Sequence, residues 1–242
     1  MKNYLSFGGG VNSVAMMLYL LDEGWDFEAV FVDHGTDWPE TYSYVRMFSD
    51  YIQLLKGCKP ITIIKPKENN LYDYCWDHRM VPAIYPRWCT HRFKIKPLFD
   101  YYEKPCFQLI GIDAGESKRA RISAVDGVEN RYPLIEADIN RDKCIKIIES
   151  EVVYEPFPVP IKSGCYICPF QTVYQWKELR HKHPDLFCKA ERLEERNIEY
   201  RKSKGKKPMY LSPKKASLRS IVEEDQYKLF EIDEYPPCNC ML

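Results

Sequence analysis

The chain has 242 residues, the size of one large domain or of one domain with an appendage. Hydrophobic residues make up 45% and charged residues 29%, which suits a chain that buries a core. Thirty-five basic residues balance 35 acidic ones, so no global field gathers nucleic acid or a membrane surface. No stretch approaches the ~20 apolar residues of a membrane span. Met1 to Leu5 carry no apolar signal core, and the reading is of a cytoplasmic protein.

Tyr4 to Phe7 is a short apolar run that ends in Gly8, Gly9 and Gly10. Val14, Met17, Leu18 and Leu21 fall at helical spacing, which predicts a helix from Asn12 to Leu21. Phe27 to Val32 reads as a second buried strand, followed by Asp33, His34 and Gly35. Pro39 stands where a helix begins, and Tyr42, Val45, Met47, Phe48 and Ile52 continue it. Ile61 to Ile64 supplies a third strand and Phe107 to Ile112 a fourth, which runs into Asp113. Strands alternating with helices predict the α/β class: an open, mostly parallel sheet with helices on both faces. In such sheets ligands bind beyond the carboxyl ends of the strands. The polar clusters stand there, after Phe7, after Val32 and after Ile112.

Pro156, Pro158 and Pro160 alternate with apolar residues and cannot be helix. They mark the boundary between an α/β domain over residues 1–155 and a small, mainly helical, cysteine-bearing region over 156–242. That region carries Cys165 and Cys168, a charged helix from about Thr172 to Glu199, and a basic run from Arg201 to Lys215. An acidic stretch from Glu223 to Glu234 follows, then Cys238 and Cys240. The basic run either contacts a phosphate backbone or is a solvated loop answering the acidic stretch. Trp76, Tyr85 and Trp88, flanked by His78, Arg79, Arg87, His91 and Arg92, form an aromatic and basic cluster that could wall a substrate.

Ser6 to Ser13 (SFGGGVNS) joins the first strand to the first helix. Glycines bring backbone N–H groups close to a ligand, a helix N-terminus favours an anion, and Ser6 and Ser13 add hydroxyl donors. The loop is neither the GxxxxGK[ST] nor the GxGxxG pattern. A phosphate cradle and a turn packing helix on sheet stay equally open from these residues.

Ten cysteines in a reducing compartment point to metal ligation, thiol chemistry or burial rather than structural disulfides. Cys58, Cys106, Cys144 and Cys188 stand in apolar or helical contexts and read as packing residues. Cys165 and Cys168, in a CxxC, have the spacing by which one loop offers two thiolates to one metal centre. An iron–sulfur cluster, a zinc site and a redox dithiol all suit that spacing.

Taken together the segments resemble a known family. The loop resembles the SGGxDS-type pyrophosphate loop of the adenine-nucleotide α-hydrolase (PP-loop ATP pyrophosphatase) superfamily, and more closely the SFSGGKDS form of the phosphoadenosine phosphosulfate (PAPS) reductase family. Three further segments resemble that family in order. Phe31 to Thr41 (FVDHGTDWPET) is similar to its second-strand motif, and Gly111 to Ser117 (GIDAGES), followed by Arg119, to its GxxxxES segment. Tyr132 to Glu136 (YPLIE) is similar to its YPLxxW segment without the tryptophan.

The resemblance implies that Ser6, Gly8, Gly9, Gly10, Asn12 and Ser13 cradle the phosphates of ATP, or of another adenine nucleotide, with Mg. It places Asp33, Gly35 and Gly111 near the adenosine, with Glu116 and Ser117 closing the site. The family's second serine, lysine and aspartate are here Gly8, Val11 and Asn12. Losing the lysine removes a positive charge, and Asn binds a hard cation less strongly than Asp. The replacement charge is sought from Lys94, Lys96, Lys118, Arg119 or Arg121. Asn12, Asp33, Lys94 and Arg119 are the candidate catalytic residues.

Arg87 to Thr90, leading to Lys94 to Leu98 (KIKPL), resembles the cysteine segment of the iron–sulfur members of the family. Those members hold a four-iron four-sulfur cluster with a Cys-Cys pair there and a later CxxC. Trp88 replaces one partner, so the resemblance implies Cys89, Cys165 and Cys168 as ligands. Cys240 is the choice for the fourth, with Cys238 or Cys75 behind it, and zinc is the alternative metal.

Two chemistries fit this family. A sulfonucleotide (PAPS/APS) reductase attacks an activated sulfate with the thiol of a Glu-Cys-Gly-hydrophobic-His tail; here the last residues are PCNCML. ATP-dependent sulfurtransferases, including DNA phosphorothioation enzymes and tRNA thiolases, adenylylate an oxygen and displace it with sulfur. The missing tail, the basic run and the retained loop favour the second chemistry. Nucleic acid is then the candidate acceptor and a cysteine desulfurase the candidate sulfur donor, with no membrane partner. Val11 and Asn12 motivate a third reading, a non-catalytic nucleotide- and cluster-binding sensor or partner subunit.

Overall fold

A strand buried on both faces reads as a continuous apolar run, and the sheet centre is built from such runs. β1 (Lys2–Phe7) lies in the middle, its residues Tyr4 to Phe7 all buried. The computed structural model describes residues 1–152, 156–161 and 163–224. β2 (Glu28–Val32), β3 (Thr62–Ile64), β4 (Cys106–Ile110) and β5 (Val128–Arg131) complete one five-stranded sheet in the order β3-β2-β1-β4-β5. All pairings are parallel; Ser6 stands between Val30 and Ile110. β5 escaped the apolar pattern because an edge strand needs few buried side chains, and of its four only Val128 is buried.

Parallel strands need crossovers. α1 (Val11–Asp22) follows β1, and α2 (Pro39–Lys56) follows β2 with Pro39 at its start. After β5, α6 (Pro133–Glu136) leads into α7 (Arg141–Ser150), which packs against α1 and buries it from Val11 to Leu18. Met16, Met17, Leu18 and Leu20 are at most 1% exposed, and each such side chain contributes about 1.5–3 kcal/mol by leaving water. That burial seats the helix N-terminus rigidly behind the glycine loop.

The strand order reverses between β1 and β4, so the loops leaving those two strands part and open a crevice, the usual ligand position of such sheets. A second core holds Trp38, Cys75, Phe93, Ile167, Trp176 and Leu193 together, drawing on both sides of the proline-rich connector. It is formed by α3 (Leu71–Asp77), α4 (Trp88–Thr90) with the π-helical turn that follows it (His91–Ile95), and the C-terminal helices, while α5 (Lys96–Tyr101) continues that segment and packs Leu98 in another cluster.

The charged helix expected over Thr172 to Glu199 is two helices, α8 (Val173–Lys182) and α9 (Pro184–Ser203). Pro184 explains the break: it forces His183 out of the helical region, to φ −136° and ψ 67°. Thr172 and Gln175 close a reciprocal capping box at the start of α8. Cys106 and Cys144 are buried as expected of packing residues, but Cys188 on α9 is exposed. Trp76 is covered by the Arg196 guanidinium 4.5 Å from its ring and forms part of the second core rather than an open wall. Among the described residues no helix is long and apolar enough to cross a membrane.

Candidate functional site

The glycine loop holds itself in shape. The Ser13 hydroxyl donates to the Gly10 carbonyl at 2.9 Å and accepts from the Gly8 N–H at 3.3 Å. Gly10 stands at the N-cap of α1 and has no side chain to accept from the first N–H groups of this twelve-residue helix. Gly111, just after β4, brings the second wall close. A Cβ there would stand 3.2 Å from backbone atoms of Asn12 and Ser13, so a side chain would force the start of α1 to give by a few tenths of an ångström. Ser6 is buried beneath the loop on β1, beside the Tyr102 hydroxyl.

Asn12 is committed to protein partners at both ends of its amide. Its Nδ2 donates to Asp113 Oδ2 and its Oδ1 accepts from Arg141 Nη1, each at 2.9 Å. Asp113, itself buried, also accepts from the Gly115 N–H at 2.9 Å and so starts the short 3-10 helix Ala114–Arg119. That helix carries Glu116 and Arg119, paired to each other, and the exposed Ser117. Arg141 is the cation placed on the loop residue, and sequence reasoning missed it. A signal existed: Arg141 opens α7, where its charge opposes the helix dipole. A side chain so placed is held there for something other than the helix.

After β2 the chain turns on Asp33, whose Oδ1 accepts from the Gly35 N–H and the Tyr42 hydroxyl at 2.9 and 2.8 Å. Gly35 has φ +77°, and a Cβ would stand 2.5 Å from that of Asn70. Only glycine lets α3 dock on this turn. The next residues reach the CxxC loop. Thr36 O accepts from the Tyr166 N–H at 2.8 Å, and the Trp38 N–H donates to Gly164 O at 3.0 Å. Asp37 and Cys165 thus face each other in an antiparallel bridge. Gln171 braces the same loop by accepting from Trp38 Nε1 and donating to Tyr166 O. The loop also reaches the glycines, since the Ser163 hydroxyl sits 2.7 Å from where a Gly10 Cβ would be.

Cys89, Cys165 and Cys168 line one small cavity, with His34, Arg87 and Lys94. The Thr36 hydroxyl donates to Cys165 Sγ at 3.3 Å. Its oxygen therefore accepts from His34 Nδ1, 2.7 Å away, an assignment that rests on the network. The other nitrogen, Nε2, is buried with no hydrogen-bond partner among the described residues and stands 3.3 Å from Asp37 Oδ1. Burial pushes the Asp37 carboxyl up, but His34 and Lys94 beside it outweigh that and hold it below the usual carboxylate range.

Burial raises the Cys165 thiol well above its ordinary value against the Thr36 hydroxyl, with Asp37 and Cys89 adding to the rise. Burial also raises Cys89, partly offset by Thr90, Lys94 and Arg87, and raises Cys75, with Cys89 adding to it. These thiols are neutral when free, so any metal they bind must displace protons.

Soft thiol donors converging on one buried cavity suit an iron–sulfur or zinc centre, and the residues available to hold one are Cys89, Cys165 and Cys168. No group of three or more His, Cys, Asp or Glu side chains stands ready for a single metal ion among the described residues. A cluster spreads its thiolates further apart than a single ion does. Cys238 and Cys240, expected to supply the fourth thiolate, lie outside the described residues. Cys75 lies on α3 close enough to Cys89 to influence its charge.

No protein-family model matches the chain. Two uncharacterized proteins of Methanocaldococcus jannaschii are each 25% identical to it, over 202 and 206 residues. Each match takes in 78% of this chain but only 47% and 40% of the relatives. The chain therefore spans about half the length of the curated relatives it matches or less. A crystal structure of phosphoadenylyl-sulfate (PAPS) reductase from Candida auris, a phosphate complex, is similar over 64% of this chain and 75% of that one. The TM-score is 0.47 and the identity 16%.

Proposed function

We propose that the protein uses ATP to adenylylate an acceptor, nucleic acid being the favoured class, and then replaces the activated oxygen with sulfur. The observation that carries this reading is the contact between its two halves. The segment from Ser163 to Tyr166 lies against Gly10 at one end and against Thr36 and Trp38 at the other, so the CxxC begins beside the phosphate cradle. In the first step the acceptor oxygen attacks the α-phosphorus of ATP, and pyrophosphate leaves. In the second, sulfur at the oxidation level of sulfide attacks the acceptor carbon, the C–O bond breaks, and AMP leaves.

The uncapped first turn of α1 and the Arg141 guanidinium would hold the phosphate charge. The nucleotide would arrive with Mg on its phosphates. Asp33, Gly35 and Gly111 would border the adenosine, and Glu116, Ser117 and Arg119 would close the crevice from the 3-10 helix. Lys94 would set the charge at the cysteine side. Cys89, Cys165 and Cys168, with Cys240, Cys238 or Cys75, would hold a four-iron four-sulfur cluster, or zinc in its place, which when bound supplies or anchors the sulfur. A cysteine desulfurase is the class of partner that delivers it.

One observation favours a second reading, a nucleotide-binding partner subunit without turnover: the Asn12 amide is spent on Asp113 and Arg141. The deciding experiment measures pyrophosphate and AMP released from ATP by anaerobically prepared protein with sulfide and nucleic-acid acceptors. Release in step with sulfur incorporated is expected. ATP binding without release on any acceptor would give the second reading. Sulfite from an activated sulfate and a dithiol would make the protein a sulfonucleotide reductase instead.

A further inference from the structure

A separate depression of about 190 Å³ lies at the carboxyl end of the edge strand β3. Four cations line it, Lys65 and Lys67 from the strand exit and Arg92 and Lys96 from the helix of Cys89, against two carboxylates, Glu68 and Asp100. We propose that this depression binds a phosphate group of the second substrate, apart from the nucleotide held by the glycine loop. The identity of that substrate as an acceptor rests on the function proposed above; the anion site does not.

The ion pairs present are weak competitors for a phosphate. Lys67 reaches Asp100 at 3.2 Å and Lys65 reaches Asp33 only at 3.9 Å, with both lysines more than three-quarters exposed. Exposed pairs of this kind contribute about 0–1 kcal/mol. Lys96 makes no contact ion pair among the described residues and acts on Glu68 only through its charge, after Arg92 the next cation to hold that carboxyl below its ordinary value. Arg92 is the oriented member. Its Nε donates to Glu68, its guanidinium lies 4.5 Å from the centre of the Tyr74 ring, and its remaining N–H groups are left for a planar, bidentate contact.

Position supports the same assignment. β3 is two strands from β1, about 10 Å at ordinary strand spacing, so a phosphate here leaves room for one nucleotide-sized group before the glycine loop. Arg92 stands in the π-helical turn, three residues beyond Cys89. One helix therefore lines both the cysteine cavity and the phosphate site. π-helical turns of this kind recur at functional sites.

The phosphate could belong to a nucleic-acid strand or to a free phosphorylated molecule, and two probes separate these sources. A labelled single-stranded oligonucleotide and inorganic phosphate are each titrated into the full chain and into a Lys67→Gln/Lys96→Gln double variant, with ATP titrated as reference. Both lysines are exposed, so the variant should fold, and an unchanged melting temperature checks it. A strand is the source if oligonucleotide binding weakens about tenfold and its slope against log salt falls by about 1.4, two lost contacts. A free phosphate is the source if only inorganic phosphate binding weakens. Unchanged binding of both probes would overturn the site, and so would an equal loss of ATP affinity, which would merge it with the glycine loop. Absence of pyrophosphate release would sink the proposed reaction and leave these titrations fully readable.

Discussion

At the β1–β4 crevice the proposed nucleotide site is made mostly from backbone: glycine N–H groups, a helix end whose N-cap is Gly10, and one close approach at Gly111. At the end of β2 it makes a cavity mostly from side chains: Thr36, His34 and Asp37 arranged around Cys165, with Cys89 opposite. A backbone cradle is rigid because the helix behind it is buried, and it needs glycine where the walls come close. A side-chain cavity depends on segments far apart in the chain meeting correctly. The hydrogen bond from Thr36 to Cys165 spans 129 positions. The first kind of site should fail through geometry and the second through chemistry.

The largest expected effect tests the hinge between them. Gly35→Ala would place a side chain on a left-handed residue and against Asn70. Backbone strain of ~1–2 kcal/mol and overpacking of ~1–3 kcal/mol sum to a stability loss of about 2–5 kcal/mol in denaturant titration. A neutral result would mean that α3 is not docked on this turn.

Next comes a pH dependence confined to the cysteine side. Glu194 on α9 is buried, and its two oxygens accept the N–H groups of Leu211 and Leu218 at 2.8 Å each, fastening the loop that carries Lys214 and Lys215. Burial pushes its carboxyl up to about 7 from an ordinary 4.5, despite those two bonds. Folding therefore favours the protonated form. The contribution is complete below about pH 4.5 and is lost as pH rises through 7. The loss is about 3 kcal/mol. Melting curves across pH 4–8 should show the slope in the native protein and a flatter profile in Glu194→Gln.

Arg141→Ala should act on the crevice alone. Losing a charged hydrogen bond costs about 1.5–2 kcal/mol, a roughly ten- to thirty-fold weaker Kd for ATP by calorimetry. Thiol reactivity in the cavity should not change. Thr36→Val does the converse at smaller scale. It removes the donor to Cys165, costs about 1 kcal/mol of stability, and leaves ATP affinity where it was. If either substitution moved both readouts equally, the two halves would be one coupled unit.

Much of the fold was legible because parallel strands buried on both faces leave mainly apolar runs at Tyr4–Phe7 and Phe27–Val32, broken only by Ser6 and Glu28. Gly8 to Gly10 and Pro39 punctuate them. β5 was not legible, because an edge strand carries few buried residues, and the break at Pro184 was hidden inside an otherwise helical charge pattern. Sequence spacing suggested Cys165 and Cys168 as a pair, but the pattern of residues alone could not bring Cys89 to them from 76 positions away. His34, Thr36 and Asp37 stood in the polar segment after Val32 without individual roles, since those roles exist only once Tyr166 pairs with Thr36. Arg141 was readable in principle, as a cation at the wrong end of a helix.

The central claim is that a sulfur-handling metal centre stands beside the nucleotide cradle. The most direct measurement is the iron, zinc and acid-labile sulfide content of protein purified without oxygen, together with its visible absorbance. A brown protein with about four irons and matching sulfide per chain is the predicted result. A colourless protein carrying one zinc would contradict it, making the cysteines structural and withdrawing sulfur transfer.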